Sequence, residues 1–150
     1  MLTQTPSGLD EIIDTFGNPD DPQFEADNIE LFTLPYTLLF EGQEVKHARC
    51  HNLLVDNFVK AFQDIKDAGL EDQVKNFSGI FNKRTQKGGT RPSTHSWGIA
   101  IDLEAEKFPL GSSERFPDEI VTIFKNAGFF YGGDFQGRKD PMHFQFATDF

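Results

Sequence analysis

The sequence has 150 residues, a length that fits one domain with a sizeable core. Its 24 acidic and 14 basic residues give a formal net charge of -10, which repels nucleic acid, and no basic patch opposes that field. No segment approaches the roughly 20 apolar residues of a membrane span. We therefore expect neither nucleic acid nor a membrane as a partner, and we expect a monomer.

The first forty residues predict a helix, a connector and an interrupted strand. Ser7 to Asp10 is typical of a helix start, and the helix is expected to end at Gly17. Residues 18–28, rich in Asp, predict a solvated connector. Residues 31–40 are rich in strand formers, but Pro35 cannot donate to a sheet ladder. We expect an edge strand there, or two short strands.

Two later segments predict core helices. Apolar residues recur every three or four positions from about Val45 to Ala68, which predicts the main core helix. We interpret Cys50, within that stretch, as a buried thiol instead of a reactive one. A second helix is expected from near Pro117 to Gly128.

The segments before and after the second helix have strand character, so we expect an α+β fold with a small, mainly antiparallel sheet and flanking helices. One domain would span residues 1–150, with an N-terminal helix and connector over 1–28 and a catalytic core over 29–150.

Two histidines and a carboxylate predict a catalytic metal site. They are His95 and Asp102 in one segment and His143 in another, some forty residues later. If the two segments pair as strands, alternation places Asp102 and His143 on one face, and His95 reaches them from a turn at Gly98. Catalytic zinc enzymes use three such ligands and keep one position open, although other divalent metals also bind this set. The single cysteine excludes a closed thiolate site.

The remaining candidates surround these ligands. Asp140, fixed by the following proline, is the candidate general base, or else a turn residue. Arg84 and Arg91 are alternatives for polarising a substrate carbonyl or binding a carboxylate, and both could also be surface cations. Ser93 caps a turn or orients a ligand. Trp97 and Gln145 are further candidates for ligand orientation or substrate binding.

A second histidine pair has two interpretations. His47 and His51 are four residues apart, which on a helix would place them on one face as a metal pair. No carboxylate lies at a matching helical position. We therefore prefer a structural or partly exposed role for this pair.

The segment Ser93-Thr94-His95-Ser96-Trp97-Gly98-Ile99-Ala100-Ile101-Asp102 resembles the Ser-x-His-x-x-Gly-x-Ala-x-Asp motif of the zinc D-alanyl-D-alanine carboxypeptidase and L-alanyl-D-glutamate endopeptidase family. Asp140-Pro141-Met142-His143-Phe144 is similar to its second motif, and Phe81-Asn82-Lys83-Arg84 to the stretch with its arginine. The resemblance implies a fold shared with hedgehog domains, one zinc ion held by His95, Asp102 and His143, Asp140 as base and Arg84 at the carbonyl oxygen.

The resemblance also implies a substrate. Members of this family cut peptidoglycan stem peptides, and the Asp-x-x-His arrangement favours the L-Ala to D-Glu bond cut by endolysin-type members. A D-Ala-D-Ala carboxypeptidase is the alternative, and a non-catalytic, zinc-stabilised wall-binding or virion module is the alternative of another class. The N-terminus lacks a secretory signal pattern, so we expect synthesis in the cytoplasm and action on the cell wall, as after phage-mediated release.

Overall fold

A computed structural model describes residues 1–150. It contains four α-helices and five β-strands, in the chain order α1 (Gly8–Phe16), α2 (Phe24–Asn28), β1 (Ile29–Phe40), β2 (Gln43–His51), α3 (Val55–Asp67), β3 (Ala100–Asp102), α4 (Asp118–Asn126), β4 (Phe130–Tyr131) and β5 (His143–Gln145). The strands form two antiparallel sheets, so the expected α+β class is confirmed. No helix in the chain combines the length and apolar composition needed to cross a membrane.

The N-terminal part is more structured than predicted. Helix α1 forms as expected and buries Ile12 and Phe16. The predicted solvated connector, however, contains the short helix α2, whose Phe24 is buried against the core. The charged residues of that segment point to solvent. Their number led to the prediction of a solvated connector, although the one aromatic residue among them packs into the core.

Strands β1 and β2 form a two-stranded hairpin sheet. Strand β1 is one long strand, and its pairing register shifts between Thr33 and Leu38, the interval that contains Pro35. Of the two predicted arrangements, the edge strand is the one that forms, because a two-stranded sheet has only edge strands. Pro35 lies at the register shift, since proline has no N–H for the ladder.

The helix predicted over Val45 to Ala68 is wrong in its first third. Residues up to His51 belong to β2, and α3 begins only at Val55. Ala48 and Cys50 are buried while Arg49 between them is exposed, the alternation of a strand. Pairing with β1 outweighs the local helical spacing, which is real only within α3.

The second sheet carries the candidate site, and its strands lie in the order β3-β5-β4. Ile101 pairs with Phe144, and both are fully buried. The ring of Phe144 stacks on Phe124 of α4 with a centroid distance of 4.1 Å. A cluster of 30 buried residues joins this sheet to α3 and the hairpin, so the back of the sheet is rigidly supported.

Candidate metal centre and substrate cleft

His95 projects from a 3-10 turn, Thr94–Trp97, that is capped at both ends. The Ser93 hydroxyl accepts a hydrogen bond from the His95 N–H at 3.2 Å, so Ser93 does cap the turn and thereby positions His95. The turn ends at Gly98 in the left-handed conformation, with φ of 72°. A Cβ on Gly98 would lie 2.8 Å from the His51 nitrogen, so the site requires glycine here for both conformation and space.

Asp102 and His143 lie directly opposite each other on β3 and β5, as the strand alternation predicts. Asp102 Oδ1 is 3.0 Å from His143 Nδ1, and Asp102 Oδ2 is 3.2 Å from His95 Nε2. The ligand atoms of all three residues lie within 4.8 Å of one another. The tertiary structure thus brings together all three predicted ligands.

Hydrogen bonding on the far side of each ring indicates which nitrogen is free for a metal ion. His95 Nδ1 donates to the Ile80 carbonyl oxygen at 2.8 Å, and His143 Nε2 donates to Gln145 Oε1 at 2.8 Å. His95 Nε2 has no hydrogen-bond partner although it is buried. Such a nitrogen is costly in a core unless a cation occupies the space beside it, so the three residues fit a metal ion.

The charges of the cluster reinforce one another. Burial alone would raise the pKa of Asp102, but the hydrogen bond with His143 and the charges of both histidines outweigh it and hold that pKa well below its usual range. Burial would lower the pKa of His143, and the Asp102 carboxylate raises it instead. Asp102 is therefore an anion that favours a positive charge between the two rings.

Asp140 lies beside the cluster in a tight turn. Its Oδ2 is 3.8 Å from His143 Nδ1, and its main-chain oxygen accepts from the His143 N–H at 3.0 Å. Burial, followed by the Asp102 charge, raises the pKa of Asp140, while His143 opposes the shift. The turn packs on Gly132, where a Cβ would overlap the Asp140 oxygen and lie 3.1 Å from the His143 Cβ. Sequence reasoning missed Gly132, because only the tertiary contact reveals it.

The cluster opens into a cleft of about 680 Å³ that contains both candidate arginines. Arg84 and Arg91 each line this cleft, as do Asp102, Asp140 and His143. The Arg84 guanidinium donates to the Thr85 carbonyl oxygen, and the Arg91 guanidinium stacks on Phe150 at 4.2 Å from the ring centroid. Both therefore remain candidates for substrate contact.

Trp97 lies behind the wall of the cleft. It is fully buried, its indole N–H donates to the Gly17 carbonyl oxygen, and it does not line the cleft. Of the two roles predicted for Trp97, this burial favours support of neighbouring residues over direct contact with a substrate. Its ring packs edge-on against Phe150, so it supports the cleft wall from behind.

Gln145 and Thr94 form a buried pair behind His143. Gln145 occupies β5 two residues after His143, on the same face, as predicted. The Thr94 hydroxyl donates to Gln145 Oε1 at 3.0 Å. Sequence reasoning passed over Thr94, although its place beside His95, within the first motif, could have drawn attention to it.

The second histidine pair does not form a metal site. Both residues lie on β2, where His47 is exposed and hydrogen-bonded to Thr33. His51 is buried, its Nε2 donates to the Phe16 carbonyl oxygen, and its Nδ1 accepts from the Leu53 N–H. The preferred structural role for this pair agrees with these contacts. Cys50 beside it is fully buried, as predicted.

Comparison with known families agrees with this geometry. Residues 87–146 match a family model described as D-alanyl-D-alanine carboxypeptidase. No curated protein matches the chain. The matched segment contains His95, Asp102, Asp140 and His143. The resemblance to this peptidase family that the two motifs predict is therefore confirmed over residues 87–146.

Proposed function

We propose that the protein is a zinc metallopeptidase that hydrolyses peptidoglycan stem peptides, with the L-Ala to D-Glu bond as its target. One observation carries the proposal: the ligand atoms of His95, Asp102 and His143 lie within 4.8 Å of one another beside a cleft, and the spare carboxylate of Asp140 lines that cleft. A purely structural ion would not require that additional acid.

Each residue then has a chemical role. His95 Nε2, His143 Nδ1 and an Asp102 oxygen would hold the ion, which, when bound, acts as a Lewis acid and lowers the pKa of water. The Asp140 carboxylate accepts a proton from the attacking water and delivers it to the leaving nitrogen as the C–N bond breaks. The raised pKa of Asp140 suits a group that must both gain and lose that proton.

Arg84 acts on the carbonyl of the scissile bond. Its guanidinium is a permanent cation that donates hydrogen bonds to the oxygen as negative charge develops there. The segment that carries Arg84 is fixed to the turn of His95: the Arg84 N–H donates to the Ser96 hydroxyl, and the Asn82 N–H donates to the His95 carbonyl oxygen. The arginine and the metal ligand are therefore held in one framework.

The charge of the cleft supports an anionic peptide as substrate. Three cations on the loop over residues 84–91 line the cleft without a carboxylate partner: Arg84, Lys87 and Arg91. Two cleft acids are already engaged, since Asp134 pairs with Arg115 and Asp149 accepts from Ser7. The cleft can therefore attract a stem peptide carboxylate despite the net charge of -10.

A D-Ala-D-Ala carboxypeptidase is the second candidate, because the matching family carries that description. The proposed endopeptidase rests on the Asp-x-x-His arrangement of Asp140 and His143. The two activities act on the same polymer and differ in the bond that is cut, so their products distinguish them directly.

The test is mass spectrometry of the peptides released from purified peptidoglycan by the zinc-loaded protein. Peptides with a new D-Glu amino terminus would establish the endopeptidase, whereas release of D-Ala alone would establish the carboxypeptidase. A folded, zinc-containing sample that releases nothing from walls of several chemotypes would refute both and favour the non-catalytic binding module.

Asp140→Ala is the decisive variant in the same assay. We expect it to lower the hydrolysis rate by about 10²–10⁴-fold, the usual contribution of a general base, while zinc content stays at the wild-type level. Asp149→Ala, another cleft acid, is the matched control and should retain activity. Loss of zinc from Asp140→Ala would identify Asp140 as a ligand instead of a base.

A further inference from the structure

The amide of Gln145 has only one orientation that satisfies its surroundings. Its Nε2 donates to the main-chain oxygens of Ala147 and Phe150, at 3.2 and 3.1 Å. Both partners are acceptors, so the NH2 group must face them and Oε1 must face the opposite way. Gln145 is buried, with 2 % of its surface exposed, so its amide is shielded from bulk solvent.

Oε1 of Gln145 in turn determines where the His143 ring carries its proton. An amide oxygen only accepts hydrogen bonds, and it has two lone pairs. One accepts from the Thr94 hydroxyl at 3.0 Å and the other from His143 Nε2 at 2.8 Å. Nε2 must therefore be protonated, which leaves Nδ1, the nitrogen that faces Asp102, as the one that can coordinate.

We propose that Gln145 is a positioning residue that, together with Thr94, holds the imidazole of His143 with Nε2 protonated and Nδ1 directed at the metal position. The other histidine has the opposite arrangement, because the Nδ1–H of His95 donates to the Ile80 carbonyl oxygen. The two histidines thus adopt different tautomers, and each directs its unprotonated nitrogen at the Asp102 carboxylate. This inference deepens the proposed function and rests on it for the presence of the ion.

The main test is zinc affinity measured by competition with a chelator. Gln145→Met keeps the length of the side chain and removes both polar ends, and we expect zinc affinity to fall roughly 10–100-fold, the usual effect of losing an outer partner of a ligand. Thr94→Val should weaken zinc binding in the same direction by a smaller factor. Thr94→Ser keeps the hydroxyl and should restore wild-type affinity.

A spectroscopic readout separates positioning from general destabilisation. In zinc-loaded protein with ¹⁵N-labelled histidine, we expect His143 to carry a slowly exchanging proton on Nε2 and His95 one on Nδ1. Thr94→Val and Gln145→Met should speed exchange at His143 Nε2. The His51 Nε2 proton, bonded to the Phe16 oxygen, is the internal reference and should be unchanged.

These outcomes do not depend on any substrate. A wild-type His143 that is protonated on Nδ1 in the zinc-loaded protein would overturn the proposal, as would unchanged zinc affinity in folded Gln145→Met and Thr94→Val. Failure of the peptidase assay with these zinc and NMR results intact would instead refute the proposed function alone.

Discussion

Two buried histidine environments, in the two sheets of the molecule, show what separates a ligand from a structural residue. His51 at the end of the β1–β2 hairpin has both ring nitrogens satisfied by main-chain groups. His95 and His143, at the β3–β5 pair, each have one nitrogen satisfied and the other directed at Asp102. Burial of a histidine therefore carries no functional information until both nitrogens are accounted for.

The comparison also explains why sequence spacing misleads for the first pair. His47 and His51 have the closer spacing along the chain, yet only His51 is buried, and they have no shared acid. His95 and His143 lie 48 residues apart in the sequence, and their ring centroids are 5.1 Å apart. Convergence on a carboxylate, instead of proximity along the chain, identifies the metal site.

The largest expected effect is the loss of metal on neutralising Asp102. Asp102→Asn should release zinc almost completely on dialysis and abolish hydrolysis, because it removes the anion between the two histidines. The loss of zinc affinity should exceed the roughly 10–100-fold loss that follows removal of an outer partner of a ligand. His51→Asn should keep one equivalent of zinc. Elemental analysis of both proteins after dialysis is the measurement. Zinc loss in His51→Asn would contradict the assignment of His51 as a structural residue.

The next effect distinguishes the two cleft arginines. Arg84→Met should lower kcat about 10²–10³-fold, since it removes a donor to the developing oxyanion. Arg91→Met, in which the cation on Phe150 is lost, should mainly raise KM. Steady-state kinetics on one defined stem peptide measures both. A loss of kcat in Arg91→Met with a raised KM in Arg84→Met would instead assign the carbonyl oxygen to Arg91 and substrate binding to Arg84.

A smaller effect concerns the contact that joins the two sheets. The Gly98 oxygen accepts from the His51 N–H at 2.9 Å, and a Cβ on Gly98 has no room. Gly98→Ala should destabilise the protein by more than the roughly 1–2 kcal/mol that the left-handed conformation costs. Gly69→Ala, with φ of 70° and no atom within 4 Å, should show that backbone cost alone.

Denaturant unfolding of these two glycine variants gives the comparison. Equal losses in the free energy of unfolding would mean that the hairpin and the turn of His95 can separate at no cost. A larger loss for Gly98→Ala would measure how strongly the structural sheet supports the site.

The smallest expected effect is a pH dependence that originates at His51. Burial lowers the pKa of His51, while its bond to the Phe16 oxygen opposes the shift. The unfolded chain therefore binds a proton more readily than the folded one, so stability is complete above the unfolded pKa of about 6.5 and falls as the pH drops below it. His51→Gln should reduce this slope, which denaturant unfolding of the zinc-loaded proteins between pH 7.5 and 5.5 would measure (about one unit either side of that pKa). An unchanged slope would assign the acid sensitivity to other groups.

The local chemistry of the site was predictable from sequence. Alternation in the strands places Asp102 and His143 on one face with Ile101 and Phe144 behind them, and glycine is needed for the turn at Gly98. The second core helix was likewise evident from its proline start and apolar spacing. The alternation, the glycine turn and the helix start depend on interactions within a few residues, whereas the pairing of β3 with β5 was only a condition of the prediction.

Features that depend on a distant partner were not predictable. Residues 45–51 were predicted as the start of a helix but pair with β1, and Phe24 in an acidic segment is buried by the core. The sequence by itself determined which side chains can bind a metal ion and move a proton, because those capacities belong to the residue types. Only the tertiary structure decided that His51 is satisfied by main-chain groups and that Gln145 faces His143, because each hydrogen bond depends on where another part of the chain folds.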